Sequence, residues 1–294
     1  MGLKLSRKIR TLRESILLKL KIHFNRLYLI LIFLGGLFKF LYKKNKKKVT
    51  KKYSSNLNQI NEYEFKKTSQ NNEDGIIEYI FKKLEITNCN FIEIGFDYYE
   101  NNSLNILKNA NKGIYVDGSE EKVFILRNIL KLLYPKKNIK IINDLVDKNK
   151  INQIIETHFQ NLEIDFLSID VDGIDYYIFE NLKFNPKIIC IEYNFWFGNK
   201  IKCSVPYDDK FVWEMGSLYS GSSLSALNSL AKSKGYYLVA LDSACVNAFF
   251  VREDFRKYFE ILDPKKDYKI PDKYSQEEVE IARENLLKKN LVYF

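Results

Sequence analysis

The chain has 294 residues, 46% of them apolar and 29% charged, which suits one large globular domain with extra segments. Its net charge of +10 is unevenly spread: residues 1–52 hold 16 Lys and Arg against a single acid, Glu14, and the remainder is mildly acidic. A nucleic-acid enzyme carries its basic charge on the domain that reads the strand, so that class is not expected. Four cysteines without a CxxC pair and only two histidines, His23 and His158, argue against a zinc site.

The basic arm, residues 1–52, comes first. Leu5, Ile9, Leu12, Ile16 and Leu20 recur at the spacing of one helix face among Lys and Arg residues. A twelve-residue apolar run over 27–38 follows, bounded by Arg26 and Lys39. A spanning helix needs about 20 apolar residues, so the expectation is an in-plane anchor on an anionic membrane surface. A short spanning anchor and a helix docked on the protein are the alternatives. This predicts a cytoplasmic protein peripherally associated with the membrane. Residues 53–73 are polar and read as a linker.

From 74 to 260 short apolar runs alternate with helical segments. Strands are predicted over 90–95, 113–117, 139–142, 166–170 and 188–192, with helices over 75–84, 104–110, 120–133, 152–159 and 175–182. After an aromatic segment, 195–222, come a helix over 223–234 and two strands, 236–241 and 246–251, too close for a crossover and so an antiparallel hairpin. Such alternation predicts an α/β fold, a Rossmann-like and mostly parallel sheet with a C-terminal antiparallel hairpin. Five strands plus a hairpin are the layout of the seven-stranded S-adenosylmethionine-dependent methyltransferase sheet. Ser275-x-x-Glu278 is a capping box that opens a helix in a C-terminal tail, 261–294.

Ligands bind at the carboxyl ends of strands in such sheets, and there the chemistry-bearing residues fall. The first strand ends Glu93-Ile94-Gly95, where a glycine permits close backbone approach and a following helix start offers free N–H groups. No G-x-G-x-x-G follows, which disfavours a nicotinamide cofactor. The second strand ends at Asp117-Gly118, with an acid about 20 residues past the glycine suited to ribose hydroxyls. Asp144, after the third strand, is an acceptor for an adenine amino group or a loop cap. The fourth strand runs into Asp170-Val171-Asp172-Gly173-Ile174-Asp175, and the fifth ends Glu192-Tyr193-Asn194.

Carboxylates clustered at a buried strand end are costly unless paired, and methyl transfer to a hydroxyl needs its proton removed. Asp172, Asp170 and Glu192 are therefore the catalytic candidates, with Asp170 the more structural member. Mg²⁺ on these oxygens is possible but not favoured. Asp175, Asn194, Trp196, Tyr207, Trp213 and Ser222 are candidates for binding a carbohydrate acceptor; the aromatic residues among them suit a sugar face or simple packing equally.

The runs FIEIG (91–95), GIYVDGSEE (113–121), DFLSIDVDGIDYYIFENL (165–182), PKIICIEYN (186–194), GSSLSAL (221–227) and KGYYLV through NAFFVR (234–252) together resemble the FkbM-type methyltransferase family over residues 74–255. Members are similar to sugar and polyketide O-methyltransferases. The resemblance implies cofactor contacts at Gly95 and Asp117 and acceptor-side roles for Asp170, Asp172 and Glu192. One departure is that Tyr98 and Tyr99 stand where the family offers a second glycine. The expected function is S-adenosylmethionine-dependent O-methylation of a glycan or lipid-linked sugar hydroxyl at a membrane surface. The rival from another class is a catalytically silent binding module that tethers glycan-assembly machinery. Asp170-Val171-Asp172 also spells a glycosyltransferase D-x-D, but the strand pattern around it argues otherwise.

Overall fold

The computed structural model describes residues 25–44, 59–160 and 162–294. The helix expected over residues 3–24 lies outside the described residues.

A helix α1 (Asn25–Lys44) precedes the domain. The central sheet is then built from β1 (Cys89–Ile94), β2 (Ala110–Asp117), β3 (Asn138–Asn143), β4 (Phe166–Ile169), β5 (Ile188–Glu192), β7 (Tyr236–Leu241) and β8 (Asn247–Arg252), in the order β3-β2-β1-β4-β5-β8-β7. The first five strands are parallel; β8 runs antiparallel to β5 and to β7. A separate two-residue ladder joins β6 (Cys203–Ser204) to β9 (Val292–Tyr293).

The strands are apolar on both faces because helices cover both. Alternate residues divide into two cores. Ile92, Ile94, Ile114, Val116, Leu167, Ile169, Ile189 and Ile191 pack on one side against α4 (Lys150–Phe159), α5 (Asp175–Asn181) and α6 (Leu224–Ser233). Phe91, Tyr115, Phe166, Ile188 and Cys190 pack on the other against α1, α2 (Glu73–Lys83) and α3 (Glu120–Leu133). Side-chain caps set the helix starts where the sequence predicts them: Ser119 accepts from Lys122 N, and Ser223 from Ala226 N. The capping box of Ser275 and Glu278 opens α8 (Gln276–Leu287), which follows the short α7 (Pro264–Asp267).

Two expectations are corrected. The 53–73 linker does not hold from Gln59 onward. The Asn61 amide donates to Leu241 O, and Glu64, 3% exposed, accepts from Ser243 N at 2.7 Å. Asp74 accepts from the backbone N–H groups of Lys67, Thr68 and Ser69. These polar residues look like linker in sequence because they satisfy buried backbone groups rather than form apolar contacts. Residues 104–110, expected as an α-helix, form a 3-10 helix, Leu104–Asn109.

Candidate active site

Parallel register brings the carboxyl ends of β1 to β5 to one edge. There they border a cleft of about 940 Å³. Gly95 makes the centre of that edge possible. Its φ is +72°, and a Cβ there would lie 1.6 Å from Asp170 O. The exits of β1 and β4 thus touch backbone to backbone, with Asp170 N donating to Ile94 O at 2.9 Å, while Gly95 N donates to Val116 O on β2, also at 2.9 Å. Close strand approach, as much as room for a ligand, demands the glycine.

On the β1–β2 side the cleft is lined by Glu93, Gly95, Asp117, Gly118 and Asp144. Glu93 is 2% exposed; Oε1 accepts from Asn102 N at 3.1 Å, and Oε2 has no hydrogen-bond partner among the described residues. Burial pushes its carboxyl up to about 8. Asp117 clamps the turn around it: Oδ2 accepts from Phe96 N and from Lys122 Nζ, and Oδ1 from Ser119 N. Each carboxylate oxygen has two lone pairs, so hydroxyl donors can still be taken. Asp144 pairs with Lys150 at 2.6 Å.

On the β4–β5 side Asp170, Asp172 and Glu192 each bring a carboxylate oxygen within 4.8 Å of the others. Burial and then the charge of Asp172 raise Asp170, and burial and then the charge of Asp170 raise Glu192. Neighbouring buried carboxyls disfavour one another's ionised form and titrate as a coupled set. Asp172 is raised by burial but drawn back by the Lys122 ammonium. Its φ of 57° is left-handed, a strained conformation for a non-glycine residue. One hard cation also suits three oxygens at this spacing.

Three of the residues expected to bind the acceptor are not where a substrate would meet them. Asp175 is fully buried and accepts from Val171 N at 2.9 Å and Gly173 N at 3.0 Å, so it holds the loop that presents Asp172. Ser222 is buried outside the cleft in a bridge to Ser204, and Ser223 supplies the helix cap instead. Tyr207 packs edge-on against Tyr177 with Lys148 Nζ over its ring, also away from the cleft. Asn194 does line the cleft, but its amide donates to Leu218 O and Ser220 O and accepts from Trp196 N. It ties down the 195–222 segment rather than waiting for a ligand.

Trp196 and Trp213 both face the cleft. Trp196 packs against Phe195 and Tyr274, and Trp213 donates Nε1–H to Ser217 O. Sequence reasoning missed Lys122, Asn247 and Tyr274, which also line the cleft. Lys122 sits one turn past the Ser119 cap, a position legible once that helix start is placed. Asn247 lies opposite Glu192 in the antiparallel β5–β8 register, and Tyr274 arrives from the distant tail.

The strand order, the antiparallel last pair and a cleft at the carboxyl edge define the seven-stranded S-adenosylmethionine-dependent methyltransferase fold. No protein-family model and no curated protein sequence matches the chain. Among solved structures the chain is similar to the magnesium protoporphyrin IX methyltransferase of Synechocystis PCC 6803 with bound S-adenosylmethionine. The identity is 9% over 61% of this chain and 77% of that one, with a TM-score of 0.40. It is also similar to an S-adenosylmethionine-dependent methyltransferase from Clostridium acetobutylicum, at 11% over 61% and 90% with a TM-score of 0.41. A third is the O-methyltransferase from Bacillus cereus in complex with S-adenosylhomocysteine, at 13% over 59% and 79% with a TM-score of 0.36.

Proposed function

We propose that the protein is an S-adenosylmethionine-dependent O-methyltransferase acting on a glycan or lipid-linked sugar hydroxyl at a membrane surface. The observation that carries this reading is the convergence of Asp170, Asp172 and Glu192 in the same cleft as Gly95 and Asp117. The motif resemblance to FkbM-type methyltransferases supports it.

The residues on the β1–β2 side fit the cofactor. Asp117 and the Gly95 turn would hold its ribose side, and the unpaired Glu93 Oε2 suits a cationic N–H donor. When bound, S-adenosylmethionine supplies an electrophilic methyl group. The protein must orient the acceptor hydroxyl and take its proton. Burial and neighbouring carboxylates push Asp170 and Glu192 toward the protonated form, which leaves Asp172, drawn back by the Lys122 ammonium, as the carboxylate suited to accept a proton. Trp196 and Trp213 beside these acids suit a sugar, whose C–H faces meet rings and whose hydroxyls meet carboxylates.

Calorimetric titration of the full chain with S-adenosylhomocysteine tests the cofactor assignment: saturable binding, weakened in Asp117→Ala, is expected. A folded protein that takes up no cofactor would leave only a silent binding module.

A further inference from the structure

Helix α1 is long and apolar enough to cross a membrane by length and composition, yet one face of it is built into the domain. Tyr28, Ile32 and Phe40 are buried in the core shared with α2 and α3. The Tyr28 hydroxyl donates to Glu121 at 2.8 Å. Between these anchors lies Gly36, where a Cβ would meet Ile125 Cγ2 at 2.4 Å, so the glycine lets the two helices close on each other. At the far end Lys43 pairs with Glu100, and Lys39 lies 4.9 Å from the centre of the Tyr99 ring.

The opposite face is exposed and apolar. Leu27, Ile30, Leu31, Leu34, Phe38 and Leu41 stand on it, Leu34 at 53% and Phe38 at 71% exposure. A contiguous apolar surface of this size marks an interaction site. Two occupants compete. Positions 27, 31, 34, 38 and 41 keep the alternating four-and-three spacing of a coiled-coil seam, which would suit a second copy. Charge decides against that occupant. No acid occurs between residues 25 and 44, and residues 1–52 carry 16 Lys and Arg against one Glu. Two such arms repel, with no acid beside the seam to pair across it, whereas an anionic lipid surface attracts them. The face is also widened by Ile30 and Tyr42 beyond a narrow seam.

We infer that α1 lies in the plane of an anionic lipid surface, its outer face inserted among the acyl chains and its inner face fixed to the domain. Crossing the bilayer would require undocking Tyr28, Ile32, Gly36 and Phe40. In the docked state the membrane sits beside the cleft, because Tyr99 and Glu100, which Lys39 and Lys43 contact, line it. This placement deepens the membrane part of the functional reading and does not depend on methyl transfer.

The test is flotation of the full chain with phosphatidylglycerol–phosphatidylcholine vesicles and with pure phosphatidylcholine vesicles, alongside S-adenosylhomocysteine titration. Binding to the anionic vesicles is expected to weaken with salt. It should fall about tenfold or more in the Leu34→Glu/Phe38→Glu double variant, with cofactor affinity and melting temperature kept. A second variant guards against misfolding: Phe38→Cys labelled with a polarity-sensitive dye should shift to the blue on anionic vesicles. The native cysteines are all buried and leave that label specific. Three results overturn the inference. One is a double variant that floats as well as the parent, which makes the basic arm alone sufficient. Another is a dimer in light scattering that ignores vesicles. The third is protease access to the arm's two ends from opposite sides of a sealed vesicle. Failed cofactor titration with intact flotation would instead count against the methyltransferase reading alone.

Discussion

At the scale of the residue, the chemistry turns on which carboxylates are free. Burial and neighbouring carboxylates push Asp170 and Glu192 toward the protonated form, whereas the Lys122 ammonium draws Asp172 back. Asp172→Asn preserves shape and removes the acceptor, so turnover on a sugar hydroxyl should fall about 10²–10⁴-fold while S-adenosylhomocysteine affinity holds, which paired kinetics and calorimetry will separate. Glu93 makes a pH prediction. Its carboxyl rises from the ordinary 4.5 to about 8 in the fold, so the folded state binds more protons than the unfolded one between those values. Stability of the ligand-free protein therefore falls as pH climbs from about 4.5 to about 8 and levels off above. Glu93→Gln should flatten that slope in melting curves taken across the range; an unchanged slope would assign it to other groups. At Gly95, φ +72° and the Asp170 carbonyl leave no space for a methyl. Gly95→Ala should cost about 3 kcal/mol or more, read by denaturant unfolding.

Elements carry the second layer of the site. The β4–α5 loop is held from within by Asp175, whose burial raises its carboxyl to about 6 while the Val171 and Gly173 amides pull it back. Asp175→Asn turns one acceptor into a donor facing an N–H. It should cost about 1–3 kcal/mol and lower turnover through misplacement of Asp172, with cofactor affinity little changed. The tail does similar work for the 195–222 segment. Phe294 stacks on Tyr176 at 4.3 Å, Tyr219 donates to Asn290 O, and Val292–Tyr293 pairs with Cys203–Ser204. Deleting residues 288–294 should lower stability by about 1–2 kcal/mol and open residues 205–220 to limited proteolysis, visible by mass spectrometry. Strand ends and the Ser275–Glu278 capping box were readable from local pattern, since β1, β5 and that box depend on neighbours a few residues away. The ties of Asn194 and Asp175 were not, because a polar side chain that satisfies buried backbone looks in sequence like one that waits for a ligand.

Across the whole molecule, two apolar layers enclose the sheet, and all four cysteines lie within packed interiors. Burial raises the thiols of Cys89 and Cys203 to about 12. A thiol reagent should therefore modify none of the four in the native protein and all four after denaturation; early reaction of one would mark a local opening near it. Along the sequence the charge is divided, a basic stretch over residues 1–52 preceding a mildly acidic remainder.

The alternation of apolar runs with amphipathic segments determined a parallel α/β sheet ending in a hairpin, because strand and helix periods are local and burial on both faces leaves runs with no polar break. Clustered acids at strand ends likewise located the cleft edge, since a carboxylate seldom follows a buried strand without a task. Tertiary structure alone decided the division of labour. It decided that residues 59–72 pack into the domain, that Ser222 and Tyr207 are not among the residues lining the cleft, and that Lys122 and Tyr274 are. It also decided that α1 rests on α3 by one face only. Each of these depends on which distant backbone groups and side chains come within a few ångströms, and no spacing along one chain encodes such a distance.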